Sequence, residues 1–276
     1  MSRHKTTETR GGVITSRANA LVREARAVRD GKTKALIFVE GVRLCEEAAR
    51  SGVIVEDLLY TEKIARDERG AGVVESMGRA ARRAVAVTEE VLASVSDTKT
   101  PQGVVALARR PQTDASALDK NRGEVPLIVV LNRVNNPSNA GAMLRVAEAA
   151  GATGAITTGG SADVFSPKAL RGAMGSSFRL PVWAGADFSE VVAWCAAKSV
   201  RTVAADARAT KAHTEIDWSG PRAVIVGAEG PGLDAADAAG ADVAVRIPMR
   251  APVESLNVAV ALAVILYEAV RQRSGV

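Results

Sequence analysis

At 276 residues with 47% hydrophobic content, the chain can bury one large core or two modest ones. Its longest apolar candidate, Val258–Leu266, falls short of the roughly 18 to 20 residues of a membrane helix, and the N-terminus MSRHKTTETR lacks a signal-peptide stretch, so a cytoplasmic protein without a membrane partner is expected. Cys45 and Cys195 lie outside any CxxC spacing and His4 and His213 are the only histidines, which speaks against a disulfide framework or a metal site; no metal is expected.

The net charge of +5 is unevenly placed. Residues 1–34 carry nine basic against three acidic side chains, a net +6, which leaves the remainder at −1. Within this arm Asn19–Asp30 reads as a helix, with Arg23, Arg26 and Arg29 at helical spacing, Leu21, Ala25 and Val28 for a packed face, and Gly31 as a stop. A basic arm suits a phosphate backbone; a solubilising terminus is the plainer reading.

From residue 35 to 110, short apolar strands alternate with helical stretches: ALIFVEG, the helix VRLCEEAARSG, VIVEDLLYT, a helix over Val73–Arg83, AVAVT and GVVALAR. That rhythm predicts a small α/β domain with its own sheet. Residues 111–124 are polar and Pro/Gly-punctuated, as a linker is.

The second domain, 125–276, opens with PLIVVLNRV, a nearly continuous apolar strand of the kind buried in a parallel sheet. A helix follows, with Pro137 in its first turn, Gly151 at its end, and Met143, Leu144, Val146, Ala147 and Ala150 as its apolar face. Asn139 and Arg145 are six residues apart, about 240° on a continuous helix, so they share a face only if Asn139 precedes the regular helix. Strands are expected at ATGAITT, LPVWA, VRTVAA and PRAVIVG, and helices at Pro167–Met174 and Phe188–Lys198, giving an α/β fold on a mainly parallel sheet. Two strand ends near the C-terminus, VIVGAEGPGL and RIPMRAPVESLNVAVALAVILYEAV, break into polar loops before a helix, as do strand ends that bind ligands in open α/β sheets.

NNPSNAGAMLR (Asn135–Arg145), VGAEGPGL (Val226–Leu233) and IPMRAPVESLNVAVALAVILYEA (Ile247–Ala269) resemble the three ordered motifs of the SpoU (TrmH-like) family, S-adenosylmethionine-dependent RNA ribose 2′-O-methyltransferases of the SPOUT superfamily. VEGVRLCEEAARSGVIVEDLLYT (Val39–Thr61) is similar to the ribosomal-protein-like RNA-binding domain often fused in front of it. The resemblance implies a SPOUT domain with a C-terminal trefoil knot, S-adenosyl-L-methionine as methyl donor, and a homodimer. It also implies an RNA substrate, with ribosomal RNA favoured over transfer RNA and an antibiotic-resistance site among the candidate targets.

By the same resemblance Gly227, Ile247 and Leu256 match donor-contacting positions, where a glycine permits close backbone approach and the two aliphatic residues supply apolar walls. Arg145 matches the motif arginine; a guanidinium that stays charged is suited to clamping a phosphate and orienting the ribose, and deprotonation by it is the bolder reading. Asn139, Glu229, Ser255 and Asn257 match the remaining polar positions: the asparagines for bridging, Glu229 for bracing loop amides, and Ser255 for capping the last helix or orienting substrate. Lys168 and Arg171 are further candidates for RNA phosphate contact or for a solvated face.

Only Trp183, Trp194, Trp218, two tyrosines and four phenylalanines are present, so recognition by backbone charge and RNA shape is expected rather than base stacking. The alternative is a catalytically silent RNA-binding or ribosome-assembly protein of the same fold, which would not need all five polar motif residues. A nucleotide-dependent oxidoreductase is disfavoured by the missing GxGxxG after the first strand of either domain, and a phosphate-loop NTPase by the missing lysine after Gly232.

Overall fold

The computed structural model describes residues 9–10, 12–121, 123–230 and 232–275, so Arg3, His4 and Lys5 lie outside the described residues. The chain divides into two compact units.

Unit 1 contains the described residues up to Pro111 together with Phe165–Phe178. Helix α1 (Ala20–Arg29) starts where the Asn19 side chain accepts the Leu21 N–H, and buries Leu21, Val22, Ala25 and Val28. It is therefore part of this unit's core, and two of its arginines are committed to the fold rather than free for phosphate. Arg26 donates to the Arg17 carbonyl, and Arg29 Nη1 donates to the carbonyls of Val95 and Ser96 at 3.0 and 3.2 Å.

Strands β1 (Leu36–Glu40), β2 (Val55–Tyr60), β3 (Arg83–Ala86) and β4 (Val104–Arg109) form a sheet in the order β1-β4-β2-β3. β4 runs antiparallel to both its neighbours, whereas β2 and β3 are parallel. Helices α2 (Val42–Arg50), α3 (Glu68–Ala80) and α4 (Glu89–Val95) complete the alternation. α3 starts five residues before the expected Val73 because Asp67 accepts the Gly70 N–H as its cap, and Arg83 belongs to β3. Phe38, Leu59, Leu92 and Leu107 sit in one buried cluster with α1, each such side chain stabilising by about 1.5–3 kcal/mol. The helix Pro167–Ala173, expected in the second domain, packs on β1, with Arg171 Nη2 bonded to Asp97 Oδ2 at 2.7 Å; Lys168 stays exposed.

Among its described residues unit 2 holds seven strands: β5 (Leu127–Leu131), β6 (Gly154–Thr158), β7 (Val182–Ala186), β8 (Arg201–Ala205), β9 (Lys211–Ala212), β10 (Arg222–Val226) and β11 (Val243–Arg246). Their order is β9-β11-β8-β10-β5-β6-β7, and every pairing is parallel. β5 and β10 are buried along their whole length, as expected for central strands covered on both faces. The chain moves outward from β5 through β6 to β7, then returns to the other side through β8, so the winding reverses between β5 and β10.

Helices α5 (Pro137–Ala149), α6 (Phe188–Ala197), α7 (Ala235–Ala239) and α8 (Val258–Ser274) belong to this unit, and α8 packs on α5. The far end of α8 is tied down by Arg273, which donates to the carbonyls of Val125, Pro126, Trp218 and Gly220. The expected linker is not bare: Ala115–Asn121 forms a 3-10 turn, Ala117 and Leu118 are buried, and Thr113 O accepts the Ala184 N–H at 2.8 Å on edge strand β7.

Candidate active site

β11, β8 and β10 are neighbours, so their carboxyl ends release three loops at one end of the sheet. With the residues leading into α8, these loops enclose a cavity of about 410 Å³. Gly227, Glu229, Ile247, Ser255, Leu256 and Asn257 all line it, drawn from the second and third motifs.

Gly227 directly follows β10, where the loop doubles back on itself. A Cβ there would lie 2.2 Å from Gly232 C, 2.3 Å from Leu233 N and 2.4 Å from Gly232 O. The turn closes through Gly232 N–H to Ala228 O at 3.0 Å, with Gly230 and Gly232 at φ of 87° and 70°. The glycine that the sequence reading assigned to close approach to the donor is thus also required by the chain's own backbone packed against it.

Asn257 initiates α8, its Oδ1 accepting the Ala259 and Val260 N–H groups at 3.0 and 3.4 Å. The same side chain donates from Nδ2 to Asn139 Oδ1 at 3.4 Å, which brings the first motif to the cavity's rim. Ser255 is consequently not the cap; it is exposed and lines the cavity. Nor does Asn139 cap its own helix, since Asn136 accepts the Ser138 N–H at 3.0 Å. Glu229 is exposed and accepts no loop amide among the described residues, so the expected brace is not formed and its carboxylate is open to a ligand.

Arg145 is not brought to the cavity. Asn139 is the third residue of the regular helix α5, so the two side chains project about 120° apart. Arg145 is exposed and makes no ion pair among the described residues.

Sequence reasoning passed over Asp206, Arg246 and Met249, which also line the cavity. Asp206 directly follows the apolar strand VRTVAA, and the strand-end rule that singled out β10 and β11 would have found it. Arg208 holds the Asp206 carboxyl below the usual carboxylate range, through Nε and Nη2 at 3.1 Å each and through its backbone N–H. A second set of bonds lies just after β5: Arg133 Nη1 donates to Asp234 Oδ2 at 2.6 Å, and Asn132 Nδ2 donates to Asp237 Oδ2 at 2.7 Å. Nothing in the local pattern announced these pairings across more than a hundred residues.

The cavity suits a small organic cation carrying an aromatic base. Ile247, Leu256, Val258 and Ile265 supply apolar walls, Glu229 and the Arg208-paired Asp206 supply carboxylates beside the Arg246 side chain, and the strand-end backbone offers hydrogen bonds. S-adenosylmethionine, with its adenine and sulfonium, fits that donor set. Among the described residues, no group of three or more His, Cys, Asp or Glu could hold a metal ion.

Comparison with known proteins places this geometry among relatives. Residues 126–267 match the SpoU rRNA Methylase family and residues 19–106 match the MRM3-like substrate binding domain. The chain is 32% identical over 258 residues to the 23S rRNA (guanosine(2553)-2'-O)-methyltransferase RlmP of Bacillus subtilis, covering 92% of this chain and 97% of that protein. It is 33% identical to a 23S rRNA (uridine(2479)-2'-O)-methyltransferase of Streptomyces viridochromogenes, over 94% of this chain and 92% of the relative. The crystal structure of the SpoU methyltransferase AviRb from Streptomyces viridochromogenes in complex with AdoMet superposes with a TM-score of 0.83 at 31% identity, covering 93% of this chain and 98% of that one.

Proposed function

The chain belongs to the SpoU rRNA Methylase family, and from that premise we propose that its loop cavity is where S-adenosylmethionine is held for methylation of a ribosomal RNA ribose. The protein is an RNA 2′-O-methyltransferase. One observation carries the reading of the site: the cavity collects Gly227, Glu229, Ile247, Ser255, Leu256 and Asn257, and Asn257 bonds to Asn139 of the first motif.

In this reading the donor, when bound, supplies an electrophilic methyl on sulfur. Ile247 and Leu256 exclude water from the adenine, and Gly227 keeps the loop tight enough to present its backbone. Glu229 and Asp206 face the donor's positive charge. Asn257 and Asn139 orient the reacting ribose, Ser255 contacts it, and Arg145 clamps the neighbouring phosphate so that the 2′-oxygen lies in line with the methyl. Unit 1 holds the RNA substrate, a role supported by its match to a substrate-binding domain.

The finer architecture of this reading includes a trefoil knot around the cavity, supported by the convergence of three strand-end loops with α8. It also includes a homodimer in a cytoplasmic setting. Val260, Val264 and Tyr267 form an exposed apolar stripe on α8 at 50%, 37% and 55% exposure, and Arg145 diverges from Asn139. Both features suit a partner subunit whose Arg145 completes the site.

The direct test is transfer of labelled methyl from S-adenosylmethionine to unmodified total RNA, with ribose-methylation mapping of the product. Label at one 2′-oxygen of 23S rRNA, lost in Arg145→Ala, supports the reading; label in transfer RNA alone would redirect the substrate, and label undiminished by Arg145→Ala would remove that residue's role.

A further inference from the structure

Arg133 follows the buried strand β5 by two residues and has a φ of 56°, in the left-handed region that costs an L-residue energy. A long charged side chain on such a backbone calls for a compensating contact. Its guanidinium finds two: Nη1 on Asp234 Oδ2 at 2.6 Å and Nη2 beside Asp237 Oδ2 at 3.3 Å.

Both acidic residues stand at the far end of the cavity loop. Asp234 closes that loop and starts α7 by accepting the Asp237 N–H at 2.7 Å. Asp237 is only 8% exposed, and its Oδ2 also receives Asn132 Nδ2 at 2.7 Å. Asn132 is held in turn by Thr158 Oγ1 at 2.8 Å, and the same hydroxyl accepts the Arg133 N–H at 3.0 Å. An isolated surface ion pair contributes little, but here the guanidinium closes a network around a buried carboxylate, where every polar group requires a partner.

The near end of the loop is held by the adjacent residue. Asn132 N–H donates to Val226 O at 2.8 Å, one position before Gly227. Two consecutive residues just after β5 therefore grip the segment Gly227–Leu233 at its start and at its finish. We propose that Arg133 is a positioning residue that, through Asp234 and Asp237, sets the shape of this loop and its placement against the helix carrying Asn139 and Arg145. The inference rests on the reading of the cavity as the methyl-donor site; Arg133 itself does not line it.

Arg133→Ala leaves an L-residue at the same φ and removes the guanidinium together with its aliphatic stem, whereas Asp234→Asn keeps an oxygen for capping α7 and removes the charge. Donor affinity is read by calorimetry with S-adenosylmethionine, kcat and KM by methyl transfer, and loop opening by hydrogen exchange of the ligand-free protein. Each variant is expected to raise the donor Kd and KM about five- to tenfold with kcat within about twofold, the double variant being no worse than either single one. Arg133→Lys should recover most of the affinity, and exchange should quicken in Gly227–Leu233 while that of α8 is unchanged.

Unchanged exchange, additive losses, or a kcat that falls as far as KM rises would overturn the inference, as would faster exchange with an unaltered donor Kd. If the wild type binds no S-adenosylmethionine while exchange in the loop still responds to Arg133→Ala, the clamp is real and the donor reading of the cavity is what fails.

Discussion

Asn257 Nδ2 lies 3.4 Å from Asn139 Oδ1, a bond between side chains 118 residues apart, while Asn257 Oδ1 accepts the amides of the second and third residues of α8, Ala259 and Val260. One amide group thus begins the last helix with its oxygen and reaches α5 with its nitrogen, so helix capping and site assembly share a side chain.

The two roles separate by substitution. Asn257→Asp keeps a capping oxygen, which a helix N-terminus favours, but cannot donate to Asn139. Stability should stay within about 0.5 kcal/mol of wild type while methyl transfer falls roughly tenfold or more. Asn257→Ala should lose both, including about 1 kcal/mol in urea unfolding. Full activity in Asn257→Asp would show that the bond to Asn139 is incidental.

Gly227→Ala puts a methyl carbon within 2.4 Å of three backbone atoms that cannot swing aside. The loop must shift, at a cost of about 1–3 kcal/mol, and S-adenosylmethionine binding should weaken with it. Gly72→Ala is the control: it lies within α3, meets nothing within 4 Å, and should stabilise by about 0.5–1 kcal/mol. Calorimetric titration and thermal unfolding of the two variants decide; wild-type donor affinity in Gly227→Ala would contradict the account of the turn.

Arg145 is exposed and without an ion pair among the described residues, so Arg145→Ala should leave stability within about 0.5 kcal/mol. Methyl transfer should nevertheless fall roughly 100-fold if the side chain orients the substrate. Mixing Arg145→Ala subunits with Gly227→Ala subunits would restore one intact site per mixed dimer if Arg145 acts across the interface. Absence of recovered activity in verified mixed dimers would place Arg145 and the cavity in the same subunit.

Acid stability offers an independent check on α8. Arg271, bonded to Glu268 through Nε and Nη2 at 2.9 and 2.8 Å, and then Gln272 at 2.7 Å, draw the Glu268 carboxyl from 4.5 to about 2. A carboxyl depressed on folding contributes stability that is present above its ordinary value and lost as pH falls from about 4.5 towards 2. Glu268→Gln should therefore flatten the dependence of Tm on pH across that window. An unchanged slope would mean that the Arg271 contact is not populated in solution.

Much of the local structure was legible. Pro137 and Gly151 bracket α5, and the apolar runs LIVVL and RAVIV are fully buried parallel strands, because turn chemistry and hydrophobic runs act over a few residues. Other local readings were overridden by packing: Leu118 is buried in what reads as a linker, and Arg26 and Arg29 satisfy backbone carbonyls rather than facing solvent.

By itself the sequence determined the alternation of strands and helices, the strand ends that open into loops, and the types of side chain available there, since each depends on neighbours within a turn or two. The sequence also pointed to one pocket for the strand ends after β10 and β11; only the tertiary structure decided that the loop after β8 joins them, that Asn257 meets Asn139, that Arg133 reaches Asp234, and that Arg145 points elsewhere. Those relations follow from strand order, which is set by how the whole chain buries its apolar faces, and no local periodicity records which distant strands become neighbours.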